Sequence, residues 1–561
     1  IDTTFLPPPG PTPGEVAFLS HSGAICAAVI DWARGQGYGL SRLVSLGNQA
    51  DVDETDLLAP VAADPYTHVL ALYLEGVRQG RRFVEQARQV SLQKPIIALK
   101  VGRYESGRKA VASHTGALAG QEHAYNAAFR RAGVLRAATS EGMFDRARAL
   151  AWCPLTAGRR VAVLTNAGGP GVTAVDALEG LGLQMAALGE PTLAALRQML
   201  PPAASLHNPV DMLASASPEQ FAACLQAVLA DPGVDSAMVI YPTPPMYTSG
   251  AVAKAIIPVI HNANKPVVVA VMGERLIQEA VEHLRAARVP EYRFPERAAA
   301  ALAALVDRSQ ALAFAQAEPV TLTGLQKERV QTLLAEHVEH KTGQFLPAET
   351  ALKILQAYGV PVTPLYLAET ADQAVDLATQ AGFPVALKIA SEDIPHKSDH
   401  GGVLLNLGDA AAVRQAFELL LERTRQAYPQ VRLAGVHVQP MLAAGQELII
   451  GALQDPQFGA LVMFGSGGTE VEGLQDVAFA LAPLTALEAT DLLEKTWAGR
   501  KLAGYRNLPA ADRPVVLDSL YRLAQLAADF PQLAEIEINP LRVFPQGQGA
   551  AALDVRIRLA D

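Results

Sequence analysis

The histidine at position 114 lies in a segment whose residues suit phosphoryl chemistry. Ser113 and Thr115 place hydroxyls on both sides of the ring, and Gly116 leaves room beside it. A histidine ring can act as a nucleophile and carry a group covalently between two half-reactions. A histidine in an arbitrary loop more often has only a structural role, so the surrounding residues decide. They indicate that His114 accepts and passes on a phosphoryl group.

The elements around this segment predict a site at one edge of a parallel sheet. The segment follows an apolar strand that ends at Lys100, and α/β proteins bind ligands at the carboxyl ends of such strands. Glu75 ends another apolar run in the same way. Its carboxylate could bond the ring nitrogen that is not phosphorylated, which would fix the tautomer and raise the nucleophilicity of His114.

Two short turns of small residues suit the same anionic group. Residues 20–24 read Ser-His-Ser-Gly-Ala and residues 165–171 read Thr-Asn-Ala-Gly-Gly-Pro-Gly, and each turn opens a predicted helix. A helix N-terminus offers free N–H groups and the positive end of the helix dipole to an anion. The predicted phosphate-binding residues are Ser20, Ser22, Gly23, Ser113, Thr115, Asn166, Gly168 and Gly169.

Both turns belong to a pattern that occurs twice. A strand with its small-residue turn, an Asp-Pro turn before an apolar run, and Lys-Pro at the start of a strand recur in the same order. Short β-branched runs between helices predict doubly wound parallel sheets. We expect two similar domains, 1–153 and 157–315, although unrelated α/β domains can share such patterns. The matched pairs are 16–23 with 161–168, Asp64-Pro65 with Asp231-Pro232, and Lys94-Pro95 with Lys265-Pro266.

The sequence changes character after a polar helical connector, predicted at 316–345. Mixed helices and strands over 346–561 predict one α+β domain with two lobes. Lys388 ends an apolar strand in this domain, where its ammonium group could meet phosphate. The alternative is an edge lysine that extends its charged end to solvent.

Three oxygen-bearing side chains and a glycine loop complete a predicted nucleotide site. Glu537 and Asn539 project from one face of a predicted strand, and Asp554 is placed on a second strand that could be its hairpin partner. Such ligands suit Mg²⁺, which bridges nucleotide phosphates. Two polar residues on a half-exposed strand would give the same pattern. The glycines whose N–H groups could approach phosphate are Gly465, Gly467 and Gly468.

The composition excludes several classes of protein. The formal charge is 46 − 56 = −10, and an acidic chain without a basic stripe argues against nucleic acid as the main partner. No apolar run reaches the roughly 18 residues of a membrane span. We interpret the Pro-rich residues 5–14 after Ile1 as an entry linker and expect a fragment of a longer chain. Three distant cysteines predict neither disulfides nor zinc and favour a reducing cytoplasm: Cys26, Cys153 and Cys224.

Together these motifs resemble a known family. Residues 340–561 resemble the ATP-grasp domain of the NDP-forming acyl-CoA synthetases, relatives of succinyl-CoA synthetase. Residues 1–153 resemble the flavodoxin-like domain that carries their phosphorylated histidine, through Ser113-His-Thr-Gly-Ala-Leu-Ala-Gly120. Residues 157–315 resemble their CoA-ligase domain, through Asn208-Pro-Val-Asp211. The C-terminal motifs are Tyr358-Gly-Val-Pro361, Phe383–Ile389, Ile394–Val403, Gln446–Gly451, Asp455–Gly459, the glycine loop and Glu537–Leu541 with Asp554.

The resemblance implies roles for individual residues. It makes Lys388 a phosphate contact, supplies Glu75 as the partner of His114, and makes His396 a second, relaying histidine. The alternative for His396 is a phosphate contact that is never phosphorylated. The family more often has Asp where this chain has Glu537. The remaining implied residues are the adenine hinge Gln439, Pro440 and Met441, the nucleotide neighbour Glu447, and the metal side Glu537, Asn539 and Asp554; the histidines expected to be structural are His21, His123, His207 and His400.

The family implies the reversible reaction acyl-CoA + ADP + phosphate ⇌ carboxylic acid + CoA + ATP. It also implies a homo-oligomer, with Mg²⁺, nucleotide and CoA as small-molecule ligands and ADP rather than GDP. One departure concerns CoA, because the N-terminal CoA-binding domain of the family is missing before Ile1. We therefore expect that domain upstream or in a separate subunit. The acyl group is left open.

Two other functions are compatible with the same residues. A protein acyltransferase built on this scaffold would use the synthetase part for regulation. An ATP-grasp carboxylate–amine ligase would make an acyl phosphate directly, without phosphohistidine.

Overall fold

The computed structural model describes residues 11–104, 106, 122–336, 344–391, 401–468 and 476–560. The chain divides into two compact units, Ile1–Gln316 and Ala317–Asp561, and each is described by itself. His114, Ser113 and Thr115 lie outside the described residues, as do His396 and His400.

The N-terminal unit begins with a five-stranded, fully parallel sheet in the order β2-β1-β3-β4-β5. Its central strands are almost completely buried, as expected for a sheet covered by helices on both faces. The strands are β1 Pro13–Ser20, β2 Leu40–Ser45, β3 Val69–Leu74, β4 Ile96–Lys100 and β5 Val134–Arg136. The helices are Gly23–Gln36, Glu54–Ala63, Gly80–Ser91, Glu122–Ala132 and Ser140–Trp152.

A second parallel sheet, in the order β11-β10-β9-β6-β7 with β8 beside β6, repeats this arrangement. Leaving out β8, both sheets follow the order 2-1-3-4-5, so the predicted pair of flavodoxin-like sheets is confirmed. The strands are β6 Arg160–Thr165, β7 Gln184–Met185, β8 Val210–Asp211, β9 Ser236–Pro242, β10 Val267–Met272 and β11 Glu291–Tyr292. The helices are Gly168–Gly180, Glu190–Met199, Pro218–Ala230, Ser249–His261, Gln278–Ala286 and Pro295–Gln316.

A buried charge cluster joins the two sheet domains of this unit. Arg148 Nη1 lies 3.1 Å from Glu291 Oε1, and Arg297 Nε lies 2.6 Å from Asp145 Oδ2. The hydroxyl of Tyr292 donates to the carbonyl oxygen of Asp145 at 2.9 Å. Arg148, Asp145 and Glu291 are all buried, so each charge depends on its partner for solvation.

Replacing Arg148 by alanine should destabilise the N-terminal unit by about 3–5 kcal/mol, because buried Glu291 and Asp145 each lose one of two arginine partners and keep only Arg285 and Arg297, respectively. Trp152, whose ring lies 6.0 Å from the Arg148 guanidinium, reports the loss in urea unfolding followed by fluorescence. Arg197→Ala is the control, since that exposed side chain lies 3.5 Å from exposed Glu190 and should change stability by less than about 0.5 kcal/mol. Equal unfolding midpoints for the two variants would contradict this account.

The helix Pro295–Gln316 is long and apolar enough to cross a membrane by length and composition, which the search for uninterrupted apolar runs did not reveal. Within the unit, 61% of its most apolar window is buried. Its alanine and leucine side chains pack against both sheet domains, among them Ala298, Leu302 and Leu305. The helix therefore has the packing of a core helix.

The C-terminal unit has the two lobes predicted for it. The smaller lobe is an antiparallel sheet in the order β12-β15-β13-β14, covered on one face by the helices Ala371–Ala381 and Ala410–Ala427. Val385, Leu387 and Ile389 of β13 pack under those helices, so Lys388 faces the other way. The strands are β12 Tyr366–Ala368, β13 Val385–Ala390, β14 Val403–Leu407 and β15 Gly435–Pro440.

The larger lobe is an antiparallel sheet in the order β18-β17-β16-β19-β20, with β21 beside β19. The helix predicted within the connector packs Val330 and Leu334 into the core of this lobe, so it is part of the lobe rather than a spacer. The strands are β16 Gln446–Asp455, β17 Gly459–Ser466, β18 Val477–Leu481, β19 Leu533–Val543, β20 Ala550–Ala552 and β21 Val555–Leu559. The helices are Lys327–Ala335, Ala348–Ala357, Ala486–Lys495, Trp497–Lys501 and Arg513–Asp529.

Candidate active site

The turn after β1 is built by its own hydroxyls. Ser20 Oγ accepts from the Ser22 backbone N–H and donates to the Ser22 carbonyl, both at 3.0 Å. Ser22 Oγ then caps the helix by accepting from Ile25 N at 3.4 Å. These two predicted phosphate residues thus fix the turn with their side chains. Gly23 is exposed at the helix N-terminus, where a Cβ would meet only Ser45 Oγ at 3.5 Å.

The turn after β6 repeats this geometry in the second domain. Thr165 Oγ1 accepts from the Ala167 backbone N–H at 3.0 Å and donates to the Ala167 carbonyl at 2.9 Å. The helix that follows has no side-chain cap, and its first residues Gly168 and Gly169 are exposed. Asn166 is buried, and its Oδ1 has no hydrogen-bond partner in the part of the chain that the structure describes. Both helix N-termini therefore keep backbone donors near an open surface.

Glu75 stands directly after β3 and is buried. Its backbone N–H donates to His21 Nδ1 at 3.1 Å, and two residues later the Val77 N–H donates to the Tyr125 hydroxyl at 3.0 Å. The segment that carries the predicted partner of His114 is thus held at both ends by side chains. We expected His21 to be structural and did not predict its contact with Glu75. That contact joins residues at the ends of two different strands.

Lys388 and Gln439 lie on adjacent strands of the smaller lobe and meet the same backbone oxygen. Lys388 Nζ donates to the Leu553 carbonyl at 3.1 Å, and Gln439 Nε2 donates to it at 3.2 Å. Burial lowers the pKa of Lys388, and the nearby Asp554 carboxylate opposes that shift. The lysine is therefore an inward-facing group of this unit and not the solvent-directed edge residue of the alternative interpretation.

The glycine segment differs from the predicted loop, because β17 continues through Gly465 to Ser466. Gly465 pairs with Ile449 on one side and Val477 on the other, and this close approach leaves no space for a side chain. Gly467 N donates to the Glu447 carbonyl at 3.1 Å, and a Cβ there would lie 2.3 Å from the backbone of Leu448. The irregular segment thus begins two residues later than expected.

The glycine segment contacts the predicted metal side. Gly468 N donates to Asn539 Oδ1 at 2.9 Å, so this N–H already has an acceptor. Asn539 N in turn donates to the Asp554 carbonyl at 3.0 Å. Asp554 lies in the turn between β20 and β21, which corrects its placement on a strand, because the two short strands both pair with β19. Glu447, beside the segment, pairs with Arg542 at 2.6 Å.

The side chains predicted to hold Mg²⁺ are oxygen donors of the larger lobe. The described residues contain no group of three or more His, Cys, Asp or Glu side chains arranged for a metal ion. Glu537 and Asn539 do lie on β19 as predicted, and Asp554 is bonded to Asn539 through the backbone. These oxygen donors fit a hard cation that is also coordinated by phosphate and water, rather than a closed protein site.

A cavity of about 560 Å³ opens beside these residues, at the end of β15 opposite to the predicted hinge Gln439–Met441. His437 Nε2 lies 2.5 Å from Glu349 Oε1 in its wall. Among the predicted site residues that the structure describes, only Asp554 lines it. Its other polar and charged lining residues are Glu349, Ser391, Arg432, His437 and Arg556.

Three family matches cover most of the chain. Residues 13–150 match the succinyl-CoA ligase like flavodoxin domain, residues 161–314 the ligase-CoA domain, and residues 337–559 the ATP-grasp domain. Acetate–CoA ligase (ADP-forming) I from Archaeoglobus fulgidus is 38% identical over 552 residues, which are 98% of this chain and 78% of that protein. The chain belongs to the family of ADP-forming acyl-CoA ligases.

Two further relatives match this ADP-forming ligase over about half of its length. The alpha subunit of acetate–CoA ligase (ADP-forming) II from Pyrococcus furiosus is 43% identical over 301 residues, 53% of this chain and 66% of the subunit. The dinucleotide-forming acetyl-coenzyme A synthetase 1 of Ca. Korarchaeum cryptofilum, solved with phosphate and ADP, is 39% identical with a TM-score of 0.52. That alignment covers 54% of this chain and 66% of that one.

For this ADP-forming ligase, the family resemblance, the fold class and the assignment to the acid–thiol ligases are confirmed. The roles of individual residues and the domain boundaries stay predictions. His21 and His437 are the neighbours of predicted site residues that sequence reasoning missed. His21 lies between Ser20 and Ser22, which were both predicted to bind phosphate, and this position was the signal in the sequence. His437 has no such signal, because only its pairing with Lys388 across the sheet marks it.

Proposed function

We propose that this chain catalyses acyl-CoA + ADP + phosphate ⇌ carboxylic acid + CoA + ATP through a phosphohistidine. Phosphate attacks the thioester carbonyl and expels the CoA thiolate, which leaves an acyl phosphate. His114 attacks the phosphorus and releases the carboxylate. The phosphoryl group then passes through His396 to the terminal oxygen of ADP, which regenerates both histidines. The direction depends on the concentrations of the metabolites.

The repeated turn in the N-terminal unit is the observation that carries this proposal. Two helices begin at exposed glycines, each after a strand of a parallel sheet, and each turn is braced by a Ser or Thr hydroxyl. Exposed N–H groups and the dipoles of two helices stabilise the charge of a phosphorylated imidazole. Glu75 follows β3, next to β1, and is the acceptor for the ring N–H of His114.

The C-terminal unit supplies the nucleotide site in this proposal. Lys388 contacts the phosphates, Gln439, Pro440 and Met441 form the adenine hinge, and Glu447 lies beside the nucleotide with Gly465, Gly467 and Gly468. Glu537, Asn539 and Asp554 would hold Mg²⁺, which would supply positive charge to neutralise the phosphates. The bond from Lys388 to the Leu553 carbonyl supports this arrangement, because it places the ammonium group next to Asp554.

In this proposal the CoA half of the reaction uses a CoA-binding domain, on the same polypeptide or on a separate subunit. The Pyrococcus relative, named as an alpha subunit, shows that such proteins occur in more than one polypeptide. We further propose a homo-oligomer in the cytoplasm, and the three cysteines, none of them in a disulfide, suit a reducing compartment.

Incubation with γ-labelled ATP and Mg²⁺ tests the proposal. We expect a protein-bound label that is stable in base and labile in acid, and that is released as ATP when excess ADP is added. A chain that hydrolyses ATP without taking up label would contradict the phosphohistidine and favour a carboxylate–amine ligase. CoA-dependent release of the label, with the acid present and an upstream CoA domain added, tests the second half separately.

A further inference from the structure

The segment that carries Glu75 is fixed by side chains rather than by sheet pairing. β3 ends at Leu74. Beyond it, the Glu75 N–H donates to His21 Nδ1 and the Val77 N–H donates to the Tyr125 hydroxyl. Tyr125 is completely buried, and His21 is 6% exposed. The direction of the Glu75 backbone therefore depends on these two acceptors.

The contact with Glu75 determines which nitrogen of His21 carries a proton. Nδ1 accepts the Glu75 N–H, so it must present its lone pair, and the neutral ring then has its proton on Nε2. Nε2 lies 3.2 Å from Glu54 Oε2, which is the acceptor for that proton. One ring thus connects a buried carboxylate with the backbone of Glu75.

Glu54 and Gln49 form the other side of this connection. Glu54 is fully buried, and its Oε2 lies within hydrogen-bond distance of His21 Nε2 and of the Gln49 amide, which itself lies 2.9 Å from His21 Nε2. Gln49 has a left-handed backbone with a φ of 53°, which is uncommon outside glycine. Arg78 stabilises that conformation by donating to the Gln49 carbonyl at 2.6 Å. Gln49 therefore keeps an uncommon backbone conformation beside the buried side chains of His21 and Glu54. This indicates that its position is constrained by more than core packing.

The second domain offers an internal comparison. Asn166 occupies the position of His21 in the repeated turn, and its Oδ1 has no partner among the residues that the structure describes. The histidine connection is therefore a feature of the turn that faces Glu75 and not a general requirement of the turn.

We infer that His21 is a positioning residue for Glu75: it transmits the fixed position of Glu54 to the backbone of the carboxylate that orients His114. This inference rests on the proposed phosphohistidine. Removing both bonds of the His21 ring would let the Glu75 segment shift, and a displacement of about 1 Å at a catalytic group can lower a rate by roughly a hundredfold.

Two substitutions separate positioning from packing. His21→Leu replaces the ring by an apolar side chain of similar size and removes both hydrogen bonds. His21→Gln keeps one acceptor and one donor atom, which are separated by a single carbon as in the imidazole ring. His261→Leu is the matched control, because that exposed ring bonds the Ala287 carbonyl at 2.7 Å in the second sheet domain and contacts neither Glu54 nor Glu75. Labelling by γ-labelled ATP, the KM for ATP and the thermal midpoint are measured for each variant of the full chain.

We expect His21→Leu to slow labelling of the enzyme at saturating ATP by about 10- to 100-fold, with the KM for ATP changed less than about twofold. His21→Gln should stay within about threefold of wild type, and His261→Leu should be unchanged. If Leu and Gln slow labelling equally, or if the slowing follows the thermal midpoint across all variants, the positioning role is overturned. A wild-type chain that takes no label overturns the proposed function itself, and this inference with it.

Discussion

Replacing His114 by alanine is expected to remove the acid-labile label that His114 carries, leaving only label on His396, and to lower the rate of ATP formation from acyl-CoA by roughly a thousandfold or more. The reason is chemical, because in the proposed sequence only His114 takes the phosphoryl group from the acyl phosphate, and His396 receives it from His114. The measurement is label incorporation together with the steady-state rate in the presence of the CoA-binding domain. Nucleotide affinity should be nearly unchanged, since the predicted nucleotide residues lie in the other unit.

His123→Ala is the control for this experiment, as it removes another histidine close in the sequence that was assigned no chemical role. Because ATP transfers to His396 first in the proposed order, a label from ATP that disappears in His114→Ala but persists in His396→Ala would remove His396 from the relay. Incorporation that survives both substitutions would place the phosphoryl carrier elsewhere in the chain.

Lys388→Met should weaken ADP binding by about 1.5–3 kcal/mol, roughly 10- to 150-fold, because a charge-assisted bond to phosphate is lost while the apolar stem is kept. Calorimetry with ADP and Mg²⁺ measures it directly. Lys353→Met serves as the control, since Lys353 is an exposed residue of the helix Ala348–Ala357. An ADP affinity within twofold of wild type in Lys388→Met would show that the lysine only braces the Leu553 carbonyl.

The pKa of Lys388 adds a test by pH. Burial lowers that pKa from the ordinary lysine value of 10.5, so the cationic form is lost at lower pH than in an exposed lysine. Since the cation is the form that attracts phosphate, wild-type affinity for ADP should decline at alkaline pH before an exposed lysine would titrate. Lys388→Met should lack that decline.

The sequence predicted the long elements and the strand-end turns because local patterns determine them. β3 and β10 are uninterrupted apolar runs, and the turn at Ser20 resembles the turn at Thr165 residue by residue. The helix after the second turn begins at Gly168, within the predicted turn 165–171, since the glycines form its first turn. Strands of two residues, such as β7, carry no periodic signal.

The contacts that organise the site could not be read from the sequence. His21 meets Glu54 and Glu75 across 33 and 54 positions, and Arg148 meets Glu291 across 143. No local pattern encodes such pairs, because they depend on how strands are ordered in the sheet. The extension of β17 through Gly465 was missed for the same reason, since a glycine appears as a loop residue until both neighbouring strands are known.

The buried charges around Arg148 have a consequence for how the N-terminal unit can be divided. Asp145 and Arg148 belong to the first sheet domain, while Glu291 and Arg297 belong to the second. Expressed alone, each sheet domain would expose charged side chains that pair with the other domain. Part of the apolar surface of the helix Pro295–Gln316 would also lose its packing partner. The two similar sheet domains are therefore not interchangeable modules. Dissection of this chain should respect the boundary at Gln316 rather than the one between the two similar sheets.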